Sequence, residues 1–296
     1  MSAALAYGAS PIKRLRRSKA DVAELRGLLE RVLRQYRPMT VRQVFYRLVS
    51  MGAIDKSEGE YKATVCRLLG EMRREKQIPW YWIADNTRWQ RKPRTYSSME
   101  GMLRQTAETY RRAIWDSQDA YVEVWLEKDA LSGVLYEVTQ EWDVPLMVTR
   151  GFSSLTFLYS AAAAIAEVGK PAHLYYFGDR DPSGVAIDRK IEQDLRALAP
   201  GAEIHFQRVA ILPEQIEGLN LPTRPTKTSD SRSKGFVGES VEVDAIDPET
   251  LREMVRECIV RHVDPRAWRT LEAVESEERR TLRHIADQVA GWGQAS

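Results

Sequence analysis

The spacing of hydrophobic residues changes character about one third of the way along this 296-residue chain. Up to residue 76, apolar residues recur every three or four positions, which predicts helices at about 20–36, 40–52 and 59–76. From about residue 120, short apolar runs alternate with helical patterns, as in a mostly parallel sheet covered by helices on both faces. The pattern therefore predicts an α+β protein of two domains.

The second part of the chain supplies four predicted strands, at 121–126, 144–149, 173–177 and 204–212. Helices are expected between and after them: 129–142, around 161–164, 184–198 and a tail that begins after the Asp247-Pro248 pair. Residues 221–238, rich in Ser, Thr and Lys, are expected to form a long exposed loop. Sheets of this type place functional groups at the carboxyl ends of their strands.

The first part of the chain has the element order of a winged helix. Three short helices precede an aromatic run of strand composition at 79–84 and a basic loop at 86–95. In a winged helix the third helix enters a DNA groove. A generic helical subdomain with solvated basic residues is the alternative. DNA binding is favoured because the helix and the loop are basic, and the candidate DNA-binding residues are Lys62, Arg67, Arg73, Arg74, Arg88, Arg91, Lys92 and Arg94.

These patterns divide the chain into a basic arm at 1–19, a winged-helix domain at 20–116, and an α/β domain with a C-terminal helical extension at 117–296. Charge follows the same division. Residues 1–120 hold 24 Lys and Arg against 13 Asp and Glu, whereas the remainder holds 20 against 29. This division suggests that the basic part binds a polyanion and that the acidic part brings several carboxylates together.

Other classes of protein fit the composition poorly. Cys66 and Cys258 have no metal-binding spacing, so we expect two reduced, buried side chains in a cytoplasmic protein. No stretch approaches the ~20 apolar residues that a membrane helix requires, so no membrane partner is expected.

One tyrosine is a candidate nucleophile for phosphate chemistry. On the helix at 40–52, Tyr46 is predicted to point about 130° away from the centre of the apolar stripe. Arg42 lies one turn earlier on the same flank, where its charge would stabilise a phenolate or a phosphoryl transition state. The alternative nucleophile is metal-bound water, which needs no tyrosine.

Three carboxylates are predicted to meet at one edge of the sheet. Glu127 closes the first strand, and Asp179 and Asp181 follow the third strand. Carboxylate oxygens are the ligands that Mg²⁺ prefers, and such a cluster repels itself unless a cation lies within it. The alternative is that the Asp181-Pro182-Ser183-Gly184 segment is only a favourable turn.

These motifs together resemble one known family. The helix 41–46 is similar to the Arg-x-x-x-Tyr helix of the A subunit of DNA topoisomerase VI and of the related meiotic double-strand-break protein. The segments 126–129 and 178–184 resemble the Toprim motifs of that family, and the order of winged helix and then Toprim domain agrees. The similarity spans about residues 30–215, and the compact length suggests the short topoisomerase mini-A branch.

The resemblance implies a type IIB topoisomerase A-subunit-like enzyme. Tyr46 would form a 5′-phosphotyrosyl bond with double-stranded DNA, Arg42 would assist, and Glu127, Asp179 and Asp181 would hold Mg²⁺, with Glu127 counted among the catalytic residues. Ser183 departs from Toprim domains that carry a further acidic residue there, which weakens the case for a second ion. The chain has no ATP-binding motif, so strand passage would need a separate ATPase subunit, and cleavage is better supported than topoisomerisation. A nucleoid-associated location in the cytoplasm is expected.

Two other functions remain open at this point: a hydrolytic Toprim nuclease that uses metal-bound water, and a catalytically silent winged-helix DNA-binding module. A homodimer is also expected. The tyrosine and the carboxylates lie in different predicted domains, and the short junction at 115–120 limits how far one chain can bring them together. A two-fold dimer would solve this and place two active sites on opposite DNA strands.

Overall fold

The computed structural model describes residues 17–84, 93–225, 236 and 238–292. The basic arm up to residue 16 lies outside these ranges, as do most of the predicted basic loop and of the 221–238 loop. The described residues form α1 Lys19–Tyr36, α2 Val41–Ser50, α3 Arg67–Arg74, α4 Met99–Thr109, β1 Tyr121–Leu126, α5 Ser132–Glu141, β2 Leu146–Val148, α6 Leu155–Val168, β3 Ala172–Phe177, α7 Pro182–Leu198, β4 Ile204–Ala210, α8 Pro213–Gly218, α9 Pro248–Val260 and α10 Pro265–Trp292.

A parallel sheet forms the centre of the second part of the chain. Its strand order is β2-β1-β3-β4, and every neighbouring pair is parallel. The alternation of strands and helices and the parallel sheet are therefore confirmed. Because β1 and β3 are adjacent and Leu126 lies opposite Phe177, the residues that follow these two strands meet at one edge.

Each face of the sheet is covered by helices, as the apolar runs predict. Val122, Val124 and Leu126 of β1 pack in a core with α5 and α9. Trp125, which points to the opposite face, packs in a second core with α6 and α7. Both faces of the strand carry large apolar side chains because both faces are buried.

The N-terminal helices form a third core that extends from α1 to Ile83. The start of α2 follows from its sequence: the Thr40 hydroxyl accepts a hydrogen bond from the Gln43 backbone N–H, and the Gln43 side chain accepts one from the Thr40 N–H. This reciprocal pair satisfies backbone donors that the helix leaves free. The predicted helix at 59–76 is present as a π-helical segment, Glu60–Cys66, that continues into α3.

The predicted strand at 79–84 is wrong. Trp80–Trp82 form a 3₁₀ turn, and Ile83 makes a single isolated bridge to Met39. Trp82 is buried while Trp80 and Tyr81 are exposed, so the three aromatic side chains do not alternate between two faces as a strand requires. The described residues therefore contain three helices in the predicted order, but the wing of a winged helix is not confirmed.

The last helix, α10, packs against residues from the middle part of the chain. The α10 helix packs against α4, where the Tyr110 hydroxyl donates to Glu278 at 2.9 Å and Arg104 pairs with Asp287 at 2.6 Å. Among the helices that the structure describes, none is long and apolar enough to span a membrane.

A buried carboxyl group in β1 makes the stability of the fold depend on pH. Burial raises the pKa of Glu123 from 4.5 to about 7, although the Tyr121 hydroxyl and the Trp125 indole donate hydrogen bonds to it. The folded state therefore binds this proton more tightly than the unfolded state. Its contribution to stability is complete below about pH 4.5 and is lost as the pH rises through 7.

We expect Glu123→Gln to remove this dependence. Between pH 5 and 8 the unfolding free energy of the variant should fall less than that of the wild type, by a difference on the order of 2–3 kcal/mol. Urea denaturation at several pH values measures it, and Glu167→Gln, an exposed site on α6, is the matched control. Parallel pH profiles for Glu123→Gln and the wild type would contradict the prediction.

Candidate functional site

The carboxyl ends of β1 and β3 bring Glu127 and Asp179 together. The Glu127 N–H donates to the Phe177 carbonyl at 2.9 Å, which continues the strand pairing by one residue. Glu127 Oε2 then accepts hydrogen bonds from the Asp179 N–H at 3.0 Å and from the Tyr176 hydroxyl at 3.4 Å. Two of the three carboxylates in the predicted cluster are thus direct neighbours.

Two glycines make this approach possible. A Cβ atom at Gly178 would lie 2.7 Å from Glu127 Oε2 and 2.5 Å from Tyr176 Cε1. A Cβ atom at Gly184 would lie 2.2 Å from the Asp179 carbonyl oxygen. Side chains at either position would separate Glu127 from Asp179, or α7 from the end of β3, so the glycines of the 178–184 motif are explained by close packing.

Asp181 caps the start of α7 and also adds a negative charge to the acidic edge of the sheet. Its Oδ1 accepts from the Gly184 N–H at 2.8 Å, and Pro182 occupies the first turn of α7. The turn interpretation of this segment is therefore correct as far as Oδ1 is concerned. Asp181 Oδ2 lies 3.5 Å from Arg224 Nη2.

Lys128 lies within a cluster of acidic side chains. Its Nζ is 3.1 Å from Asp179, 3.0 Å from Glu242 and 2.6 Å from Asp244. Burial alone would lower the pKa of Lys128, but Asp244, Asp179 and Glu242 together outweigh burial and raise it. Lys128 therefore remains an ammonium ion and neutralises part of the charge that the predicted cluster carries.

Glu242 and Asp244 were not among the residues predicted for this site. They lie about sixty residues after Asp179, and an isolated antiparallel bridge between Arg180 and Val241 brings their segment beside the end of β3. The available signal was the alternation Val241-Glu242-Val243-Asp244, in which two acidic residues flank a buried valine.

The donor chemistry at this edge suits Mg²⁺, but the arrangement does not provide a ready ligand set. Burial, followed by the charges of Asp179 and Asp181, raises the pKa of Glu127 to about 7. A bound cation would lower this pKa, because it favours the charged carboxylate. However, Asp179 Oδ1 accepts from the Val243 N–H at 2.8 Å and its Oδ2 pairs with Lys128. Among the described residues, no group of three or more His, Cys, Asp and Glu side chains is placed to hold a metal ion.

The prediction that Tyr46 points away from the core is wrong. The side chain is only 3% exposed and its ring centroid lies 5.2 Å from that of Phe45. The prediction assumed that one face of α2 meets solvent, whereas the 3₁₀ turn Val243–Ala245 of the second part of the chain packs against this helix. Burial and then the Glu242 charge raise the pKa of Tyr46, with Arg42 and Lys128 opposing them.

Tyr46 nevertheless lines a cavity of about 420 Å³ at the junction of the two parts of the chain. Three cationic side chains share its wall, namely Arg42, Lys56 and Arg224. The Lys56 Nζ lies 5.4 Å from the centroid of the Tyr46 ring and donates to the carbonyls of Pro222 and Thr223 at 2.8 Å. The carboxylates of Glu58 and Glu242 line the same recess, so the tyrosine lies beside three cations and two anions.

Arg42 lies beside Tyr46 in this recess, as predicted, and carries two longer ion pairs. Its Nε is 3.8 Å from Glu242 Oε2, and its Nη1 is 3.7 Å from Glu58 Oε2. The guanidinium also lies 4.4 Å above the ring of Tyr61. These contacts hold Arg42 at the mouth of the recess, where it remains about one-third exposed.

Glu242 connects the Tyr46 recess to the acidic edge of the sheet within one chain. Its Oε2 is shared by Arg42 and Lys128, and its Oε1 lies 2.9 Å from Arg224 Nη1. The short junction at 115–120, which we expected to limit such an approach, therefore does not keep the Tyr46 recess from the acidic edge of the same chain. The homodimer itself remains a proposal.

The predicted DNA-binding residues of the third helix are on the surface. Arg74 is exposed, Lys62 and Arg67 are 72% and 50% exposed and pair with Glu58 and Glu71, and Arg73 is half-buried. Arg94 is also exposed. The remaining three, Arg88, Arg91 and Lys92, lie outside the described residues.

Comparison of the chain with models of known protein families gives no match, and comparison with curated proteins gives no significant match.

The position of Glu242 predicts a cost for its removal. Glu242→Ala should lower the unfolding free energy by about 1–3 kcal/mol, because it leaves Arg42, Arg224 and the buried Lys128 with less compensating charge. Glu239→Ala, an exposed acidic site three residues earlier, should change it by less than about 0.5 kcal/mol. Denaturant titration of the two variants makes the comparison, and equal effects would show that Glu242 does not hold the two parts together.

Proposed function

We propose that this protein cleaves double-stranded DNA by transferring a DNA phosphate to Tyr46, in a Mg²⁺-dependent reaction like that of type IIB topoisomerase A subunits. The observation that carries the proposal is the recess in which Tyr46, Arg42, Lys56 and Arg224 meet. The recess also holds the carboxylates of Glu58 and Glu242, and an anionic phosphate that replaced them as the partner of these cations is the ligand that we propose. The Glu127–Asp179 pair at the adjoining sheet edge supports the metal dependence.

In the proposed reaction the Tyr46 oxygen attacks the scissile phosphorus. The bond from phosphorus to the 3′-oxygen of the preceding nucleotide breaks, which leaves a 5′-phosphotyrosyl bond and a 3′-hydroxyl group. The phenol loses its proton and the departing 3′-oxygen gains one. Arg42 and Arg224, released from Glu242 by the arriving phosphate, would stabilise the charge that develops on the phosphoryl oxygens.

Mg²⁺, when bound, would polarise the phosphoryl group and neutralise the carboxylates at the sheet edge. Glu127, Asp179 and Asp181 are the residues proposed to hold it. Because Asp179 pairs with Lys128 and Asp181 caps α7, binding would require these side chains to exchange partners.

One observation favours a second function, the hydrolytic nuclease. Tyr46 is buried, and its raised pKa keeps the phenol protonated at neutral pH, which makes it a weak nucleophile. Water activated at the acidic edge would not need the tyrosine. The two functions differ in whether protein becomes covalently attached to DNA.

The deciding experiment uses Tyr46→Phe. Purified protein is incubated with end-labelled linear DNA and MgCl₂, denatured with detergent, and examined for label attached to protein. The wild type should form the covalent adduct only with Mg²⁺, and the variant should lose adduct and cleavage by at least about 10³-fold, because the covalent path has no nucleophile.

Tyr61→Phe, a half-buried tyrosine whose ring contacts Arg42, is the matched control and should retain the adduct. Wild-type cleavage by Tyr46→Phe would establish the hydrolytic function instead. If the wild type binds DNA but never cleaves it, with or without Mg²⁺, the catalytically silent module is the correct description.

We also propose that the protein acts as a two-fold homodimer whose active sites combine residues of both subunits. Tyr46→Phe and Glu127→Gln should each be inactive, and a mixture allowed to exchange subunits should regain single-strand nicking, since some heterodimers carry one intact composite site. Gel assay of supercoiled plasmid measures it. No nicking after confirmed exchange would place each active site within a single chain, as the shared Glu242 contacts would permit.

A further inference from the structure

The 3₁₀ turn Trp80–Trp82 presents two large aromatic side chains to solvent. Trp80 is 62% exposed and Tyr81 is 73% exposed, although neighbouring apolar residues of this turn are buried. The exposure of two consecutive aromatic rings is unusual on a surface that has no binding function.

The turn that carries these rings is firmly anchored. Trp82 is only 6% exposed and packs in the core of the N-terminal helices. The Met39 N–H donates to the Trp82 carbonyl at 3.2 Å, and the Ala84 N–H donates to the Met39 carbonyl at 3.1 Å. The rings of Trp80 and Tyr81 thus precede a backbone segment fixed at Trp82 and Ala84, which limits the conformational freedom that the turn loses when it binds a ligand.

Guanidinium groups surround the turn. The Arg73 guanidinium lies 4.9 Å from the centroid of the Trp80 ring, and those of Arg37 and Arg34 lie 4.9 and 5.9 Å from the Trp82 ring. Within the described part of the chain, the buried Nε of Arg73 makes no hydrogen bond. Arg73 therefore lies at stacking distance from the exposed Trp80 ring, while Arg37 and Arg34 lie against the buried ring of Trp82.

Nearby acidic residues do not cancel this charge. On α3 and the residue that follows it, Glu71 pairs with Arg67 and Glu75 pairs with Arg26. Arg37 and Arg74 form no ion pair with the residues that the structure describes. A net positive charge therefore adjoins the two rings.

We propose that Trp80 and Tyr81 are a stacking platform for unpaired bases of a nucleic acid strand, with Arg73, Arg74 and Arg37 binding its phosphates. Exposed aromatic rings beside arginine are the combination that binds single-stranded nucleic acid, because every base offers a π face and the backbone offers charge. Paired bases inside a duplex do not expose those faces. The proposal does not rest on DNA cleavage and would hold for a protein without catalytic activity.

The test measures binding of the full chain to a fluorescein-labelled 12-mer of deoxythymidine and to a blunt 12-base-pair duplex by fluorescence anisotropy. Trp80→Ala/Tyr81→Ala should weaken binding of the single strand by about 10-fold or more, because stacking contributes roughly 5- to 100-fold per base. Binding of the duplex should change less than about 3-fold. Trp80→Phe/Tyr81→Phe keeps the rings and should restore binding of the single strand.

Tyr159→Ala is the matched control, since Tyr159 is also 62% exposed but lies on α6. It should bind both probes as the wild type does. Equal weakening of both probes by Trp80→Ala/Tyr81→Ala would show phosphate contact without stacking, and would overturn the proposal. Unchanged binding of the single strand would also overturn it. A change only in self-association, measured by light scattering, would overturn it too and would identify the two rings as a protein interface. Thermal melting of each variant excludes unfolding as the cause.

Discussion

The arrangement of the two parts of this protein depends on one buried carboxylate. Glu242 is about one-tenth exposed and is shared by Arg42 of the N-terminal helices, Lys128 at the end of β1 and Arg224 in the segment after α8. Charges removed from water require close partners of opposite sign, and each of these cations would lose one of its acidic partners without Glu242. The tyrosine recess and the acidic sheet edge are therefore adjacent because they share a counter-ion.

Much of the fold could be predicted from the sequence, because its signals are local. The capping pair Thr40 and Gln43, the Asp247-Pro248 helix start and the apolar strand runs all act within a few residues. The juxtaposition of Glu127 and Asp179 was also predictable, since parallel strands end at the same edge. The errors arose where distant segments intervene. Tyr46 shares its recess with Arg224 and Glu242, which lie nearly two hundred positions away, and the bridge of Val241 to Arg180 brings Glu242 to the site.

The burial of Tyr46 changes how the candidate chemistry must be understood. A phenol in this recess is kept protonated by burial and by Glu242, while Arg42 and Lys128 oppose that effect. In the proposed function, an arriving phosphate would compete with Glu242 for Arg42 and Arg224, and so would change the charges that act on the phenol.

The pairing of α4 with α10 has a consequence for how the protein forms. The hydrogen bond from Tyr110 to Glu278 closes a loop of 168 residues, whereas the buried residues of the N-terminal core itself lie within the first third of the chain. During synthesis on the ribosome the N-terminal helices can therefore assemble early, because their partners are already present. The α4 helix must wait until α10 has emerged. Until then residues 99–109 lack the helix against which they pack.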